Sequence, residues 1–264
     1  MNKFTRRNLM MSAVGLCLAG MPLAALADNV LNVGAYPANP PFEYKTASGS
    51  FEGFEVDVIN EVAKRSNLTL NIADFGFQAL FAATSTKRID LAISSITITE
   101  ERLKSQSFTQ PYYDATTDFA ARKDSPLKTF ADLKGKTVGV ISGTTGEKWV
   151  KKNMADVGIA NVKGYNAKQE MLLDLISGRV DAAVNDTMRY GLAKNPDLEV
   201  KDSIASGDRL GMMMTKDHPL LGKVNDAISE MKKDGTMAKL YKKWFEMEPA
   251  AGSSTITVFP VPGS

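Results

Sequence analysis

The chain has 264 residues, 44% of them apolar and 23% charged, with a formal net charge of +2. Those proportions exclude collagen-like, disordered and disulfide-scaffold chains and fit an ordinary folded protein. A near-neutral chain without a Lys/Arg cluster also gives no electrostatic footprint for nucleic acid or an anionic membrane.

The first 27 residues stand apart. Lys3, Arg6 and Arg7 precede an apolar run from Leu9 to Ala27 that closes on Ala25-Leu26-Ala27 before Asp28, the form of a cleaved secretory leader. Thr5-Arg6-Arg7 is compatible with twin-arginine export and equally with an ordinary charged leader. Removing residues 1–27 leaves 237 residues and takes the net charge from +2 to −1. Cys17, the only cysteine, leaves with the leader, and the bulky Leu16 before it disfavours a lipid attachment site. The mature chain is therefore expected to rest on core burial without disulfides. No later stretch reaches the roughly 18 apolar residues of a membrane span, so an exported, soluble protein is expected.

The mature length exceeds the usual single core of ~100–150 residues and points to two lobes. Val30 to Tyr36 reads as a strand that Pro37, Pro40 and Pro41 turn into a loop. Val56, Ile59, Val62 and Ala63 recur at helical spacing, with Glu61 and Arg65 paired on the other face. A strand through Leu68, Leu70 and Ile72, a helix over Gln78 to Lys87 and a strand over Asp90 to Ile93 complete a β-α-β-α-β order. That order implies parallel pairing, with functional residues just beyond the strands' carboxyl ends.

The pattern then restarts. A Thr137 to Ile141 strand, a helix near Glu147 to Met154, a Val162 to Tyr165 strand, a Gln169 to Ile176 helix and a Val180 to Val184 strand predict a second lobe of the same α/β design. Phe119 to Ala121 and Gly211 to Met214 read as short extended segments flanking that block, placing two hinge strands there. A helical pattern runs from Leu221 to Phe245, and the Pro, Gly and Ser of the remainder predict a disordered tail, with an edge strand over Ser254 to Phe259 as the alternative. The expected divisions are 28–115 and 211–248 for the first lobe, 116–210 for the second and 249–264 for the tail.

Three features carry chemistry. Thr99 is placed to cap a helix whose first turn holds Glu100, Glu101 and Arg102. A cation there opposes the helix dipole, which is explained by a carboxylate-binding role or by an ordinary pairing with Glu101. Gly143-Thr144-Thr145-Gly146 between a strand and a helix forms an anion-binding turn or a plain connection; Glu147 stands where a nucleotide-binding loop would need lysine. Asp186 follows a strand and either holds an ammonium group or caps the next helix. Taken together, a carboxylate clamp opposite an ammonium acceptor describes a free amino acid.

From about Val30 to Phe245 the chain resembles the polar amino-acid-binding periplasmic proteins of bacterial ABC importers, solute-binding protein family 3, which includes histidine- and glutamine-binding proteins. The resemblance is carried by Pro41-Phe42-Glu43-Tyr44, Gly53-Phe54-Glu55-Val56-Asp57, Ser95-Ile96-Thr97-Ile98-Thr99-Glu100-Glu101-Arg102, Phe108-Thr109-Gln110-Pro111-Tyr112-Tyr113, Gly143-Thr144-Thr145, Asp181-Ala182-Ala183-Val184-Asn185-Asp186 and Asp234-Gly235-Thr236. It implies the two-lobed periplasmic-binding-protein fold, each lobe a mixed, mostly parallel sheet with flanking helices. It also implies that Arg102 grips the ligand carboxylate with the N–H groups of Thr97 and Thr145. Asp186, the Thr97 hydroxyl and the Ser95 carbonyl would receive the ammonium, and Phe77 would wall the side chain. An inner-membrane permease with its ATPase is the implied partner of a monomeric binding protein.

The departures narrow the ligand. Tyr36 replaces the acid of family members that bind polar or basic side chains, Asn39 replaces a stacking aromatic, and Ile141 and Asn185 replace the lysine and histidine of glutamine binders. A small neutral amino acid such as alanine, glycine or serine, of either hand, is expected, since a larger polar ligand would leave desolvated groups unpaired. A glutamine-type binder is the alternative within the family, and a secreted dehydratase-type enzyme the alternative outside it. The enzyme reading lacks a nucleophile–base pair: His218 reads as a solvated loop residue, and Glu43 and Asp186 are the only candidate acids. No cofactor is implied, and one histidine without mature cysteine offers no usual nitrogen or sulfur metal site.

Overall fold

A computed structural model describes residues 29–263; the leader expected over residues 1–27 and its Cys17 lie outside them. Alternating apolar side chains in Val30–Ala35 bury Leu31, Val33 and Ala35, which makes this strand an interior member of the first sheet. It pairs in parallel with Thr69–Asp74 on one side and Leu91–Ile93 on the other. Met213–Thr215, returning from much later in the chain, adds antiparallel to Leu91–Ile93 and carries Gln106–Phe108 on its far side. The helices Phe54–Ser66, Leu221–Lys233 and Thr236–Phe245 contribute to one core of this lobe, and Phe77–Ser85 contributes to a second around Leu80, Ile89 and Phe108.

The second sheet repeats the plan. Thr137–Ile141 pairs in parallel with Asn161–Tyr165 and with Ala182–Asp186, and Thr117–Arg122 and Leu198–Ile204 extend it antiparallel. Helices Thr145–Val157 and Lys168–Ile176 bury their apolar stripes in its two cores. Each five-stranded sheet thus joins three parallel strands to two further strands through an antiparallel pairing, and the elements expected from periodicity appear within a few residues of their expected limits.

Four expectations are corrected. Phe119–Ala121 lies inside the second sheet, and the chain instead passes between lobes through a ribbon of Tyr113–Asp114 and Arg209–Leu210, extended by the Ala115 N–H bonded to the Asp208 carbonyl. The helical pattern from Leu221 to Phe245 is two helices, broken at Asp234-Gly235, where Gly235 takes φ 79°. The tail is ordered without forming a strand: Ser254 and Thr255 are buried, and their hydroxyls bond Asp114 and the Tyr112 carbonyl. His218 is only 14% exposed in its side chain and lies 3.3 Å from Asp90, before the Leu91–Ile93 strand and so at the opposite end of that strand from Ser94 and Ser95.

Candidate functional site

The parallel strands of both sheets present their carboxyl ends to one cleft. Tyr36 and Asn39 follow Val30–Ala35, Phe77 follows Thr69–Asp74, and Ser94 to Thr97 follow Leu91–Ile93. From the second lobe come the Thr144-Thr145 turn, Asn166 and Lys168, and Asn185, Asp186 and Thr187. Tyr36, Asn39, Phe77, Ser94, Ser95, Ile141, Thr144, Asn166, Lys168, Asn185, Asp186 and Thr187 line a cavity of about 40 Å³.

Arg102 is almost wholly buried. Its guanidinium forks onto the Thr97 carbonyl at 2.7 Å and, across the cleft, the Gly143 carbonyl at 3.1 Å. Phe81 and Phe77 lie 4.9 and 6.0 Å from it as ring faces. Thr99 caps its helix as expected, accepting from the Arg102 N–H at 3.2 Å. Burial pulls the Arg102 pKa down while the carboxylate of Asp186 draws it back up, so the cation persists with spare donors.

Asp186 accepts from the hydroxyl of Thr145 in its own lobe at 3.2 Å and, across the cleft, from that of Thr97 at 3.4 Å. Burial raises its pKa, opposed by Arg102 and Lys168. The alternative role for Asp186 as a helix cap is filled otherwise. The helix Met188–Leu192 begins after Thr187 at φ 56°, and its Met188 and Arg189 N–H groups donate to Asp118 at 2.8 and 2.9 Å. Asp186 is thereby left to the cleft.

The turn ahead of helix Thr145–Val157 spends half its amides internally: Gly143 N–H donates to Glu147 and Thr144 N–H to the Ile141 carbonyl. That corrects the view of the whole turn as an anion cradle. Thr145 and Gly146 open the helix, where N–H groups have no partner within the helix. Gly146 is needed for approach, because a Cβ there would lie 2.8 Å from Asn185 Cα.

Beneath the first-lobe half lies a carboxyl pair that sequence reasoning did not assign to the site. Glu55 accepts the Ser95 N–H with both oxygens at 3.0 Å and the Tyr112 hydroxyl, holding Ser95 at φ 48°. Glu43 accepts from Ser94 and Asn39, each at 3.2 Å. Burial and the neighbouring Glu55 push Glu43 well above the usual carboxylate range. Lys168 was also missed: its ammonium donates to Asn39 Oδ1 at 2.8 Å across the cleft. Its place just after the Asn161–Tyr165 strand is the signal that would have found it. Tyr36 crosses the cleft as well, donating to Gln169 at 3.0 Å and accepting from the Lys168 N–H at 3.1 Å.

Two twisted α/β lobes with a polar cavity between their strand ends define the class: a two-lobed periplasmic-binding-protein fold. Over residues 31–247 the chain matches the bacterial extracellular solute-binding proteins, family 3, and belongs to that family. It is 34% identical over 236 residues to ABC transporter arginine-binding protein 1 of Escherichia coli strain K12, covering 86% of this chain and 96% of that protein. It is 36% identical over 234 residues to the histidine-binding periplasmic protein of Salmonella typhimurium, covering 84% and 90%. A solved ancestral arginine-binding protein bound to arginine superposes with TM-score 0.77 at 37% identity, covering 82% of this chain and 98% of that one. Among the described residues no His, Cys, Asp and Glu cluster is placed to hold a metal ion.

Proposed function

We propose that the protein is the periplasmic binding component of an ABC importer for a small neutral amino acid, of either hand, and that it binds its ligand without transforming it. The observation that carries this reading is the meeting of Arg102, Thr97, Thr145 and Asp186 across one cleft. A bidentate cation beside a helix N-terminus suits an α-carboxylate, and the Asp186 carboxyl group beside threonine hydroxyls suits an α-ammonium. Asn185 adds an acceptor, since it borders the cavity and its buried Oδ1 has no hydrogen-bond partner within the protein. Closure is favoured because the ligand's two charges are satisfied only when both lobes contribute. The closed form would then be read by a membrane permease with its ATPase.

The relatives named above carry arginine or histidine in their names, and a basic ligand is the competing reading within the same function. The small neutral reading is favoured by the far end of the cavity, where Tyr36, Asn39 and Lys168 are hydrogen-bonded across the cleft. The remaining volume of about 40 Å³ is well below the roughly 150 Å³ of a cavity that takes up benzene.

The test is a thermal-shift screen of protein stripped of ligand by unfolding and refolding, against both enantiomers of every amino acid. A ligand at ~100 times its Kd adds ~2.7 kcal/mol of stability. A shift confined to small neutral amino acids supports the reading and assigns the enantiomer. A shift confined to arginine, lysine or histidine replaces it with the basic-ligand reading, and no shift at all removes the amino-acid assignment.

A further inference from the structure

Lys168 occupies a position that is unfavourable twice over. It opens the helix Lys168–Ile176, where the dipole disfavours a cation, and it is only 7% exposed, where an ammonium loses its hydration. Of its three N–H donors, one is spent on Asn39 Oδ1. Asn39 is itself fixed by its amide group, which donates to Glu43 at 3.2 Å and Ser95 at 3.0 Å. Lys168 thus lines the cavity beside Tyr36 and Asn39 and is braced on the first lobe by a chain that runs to the buried carboxyl pair. Burial pulls the Lys168 pKa down, and the neighbouring carboxyl groups of Glu43, Asp186 and Asp118 oppose that pull.

Resting on the amino-acid reading above, we propose that Lys168 is the specificity-determining residue of the cavity. Its ammonium fills the place where a ligand's own side-chain cation would have to lie and bars basic side chains, while its reach limits the ligand to a short neutral side chain. The acceptor that Asn39 offers is already engaged by the chain's own amine, so an arriving basic ligand meets Lys168 in a desolvated site. Like-charge juxtaposition of this kind is among the strongest forms of discrimination between otherwise similar ligands. Gly191 keeps this end tight: a Cβ there would stand 2.7 Å from the Pro40 carbonyl of the other lobe.

The experiment compares alanine and arginine affinities by titration calorimetry on ligand-stripped wild type, Lys168→Ala and Lys168→Met. Wild type is expected to favour alanine. Lys168→Ala, which removes charge and reach together, is expected to shift the arginine-to-alanine affinity ratio towards arginine by ~10-fold or more. Lys168→Met, which keeps the length and removes the charge, is expected to shift it part of the way. An unchanged ratio in either variant that folds overturns the proposal, as does a wild type that already favours arginine. The underlying reading is judged separately on Arg102→Ala: if that variant retains wild-type alanine affinity, the clamp itself is wrong, whatever the Lys168 variants do.

Discussion

Arg102 is the residue on which most depends, because it is the cation that reaches carbonyls of both lobes from within the cleft. If Arg102 grips the ligand carboxylate as proposed, replacing it with alanine leaves that desolvated carboxylate unpaired, a change that costs about 2–5 kcal/mol. Calorimetry of Arg102→Ala is expected to show loss of measurable binding for every amino acid while the melting transition remains cooperative. Beneath it, Glu43 makes a pH-dependent contribution of definite sign. Its folded pKa is raised by burial and by Glu55, so the stability it confers is complete at acid pH and is lost as pH rises from the ordinary value of about 4.3 towards the raised one. Glu43→Gln, which mimics the protonated form, is expected to flatten that decline in urea melts between about pH 5 and 8; an undiminished slope would place the titration elsewhere. Residue chemistry was legible in the sequence where the signal was local. Arg102 was marked by its conflict with a helix dipole and Asp186 by its place at a strand end. The choice between cap and cleft for Asp186 was not legible, because it turns on Asp118, a residue from another strand. Glu55 was quoted only as part of a motif, since nothing nearby in sequence shows that its oxygens hold Ser95.

The helix Thr145–Val157 shows what positions the second half of the proposed clamp. Thr144 caps it, accepting from the Glu147 N–H at 3.1 Å, and Gly146 allows its first turn to rest against the end of the Ala182–Asp186 strand. That contact brings Thr145 and Asp186 within hydrogen-bonding distance. Gly146→Ala is expected to lift the helix off the strand, costing about 1–3 kcal/mol as overpacking does and weakening ligand binding together with stability. Urea unfolding and calorimetry on the same variant read both effects, and a loss confined to one of them would separate the helix from the clamp. Strand and helix periodicity made nearly all such elements legible. What periodicity could not show was the break at Gly235, where the apolar pattern continues through a left-handed residue, or which strands the late Met213–Thr215 segment joins.

For the whole molecule, two lobes followed from chain length and a repeated element order, but the manner of their joining did not. The crossing ribbon carries the site with it: Ile98 N–H bonds the Arg209 carbonyl and Gly211 N–H the Ile96 carbonyl, either side of Thr97. The tail straps this ribbon through Ser254 on Asp114, Thr255 on Tyr112 and the Phe259 ring 4.4 Å from the Arg209 guanidinium. Lys232 fastens it further, donating to the Thr257 carbonyl at 2.8 Å. These anchors lie more than 100 residues away for Asp114 and Tyr112, so composition alone read the tail as disordered. Deleting residues 249–264 is expected to cost about 1–3 kcal/mol, from hydrogen bonds and one cation–π contact. At ~2–4 °C per kcal/mol, that lowers the melting temperature by several degrees in a thermal scan.

The strap ends beside the clamp, with a Cβ at Gly263 placed 3.6 Å from Leu103, the neighbour of Arg102. Two residues before Leu103, Glu101 is salt-bridged to Lys148 of the opposite lobe. Since Cys17 is the only cysteine in the sequence, a cysteine introduced at Pro262 in protein lacking the leader would be the sole thiol. An environment-sensitive fluorophore coupled to it would sit in the groove of Ile98, Pro111, Arg209 and Phe259 beside the crossing ribbon, where a closing movement of the lobes on ligand would be read optically. The protein would thus become a reagentless biosensor for its own ligand, with no group in the pocket altered.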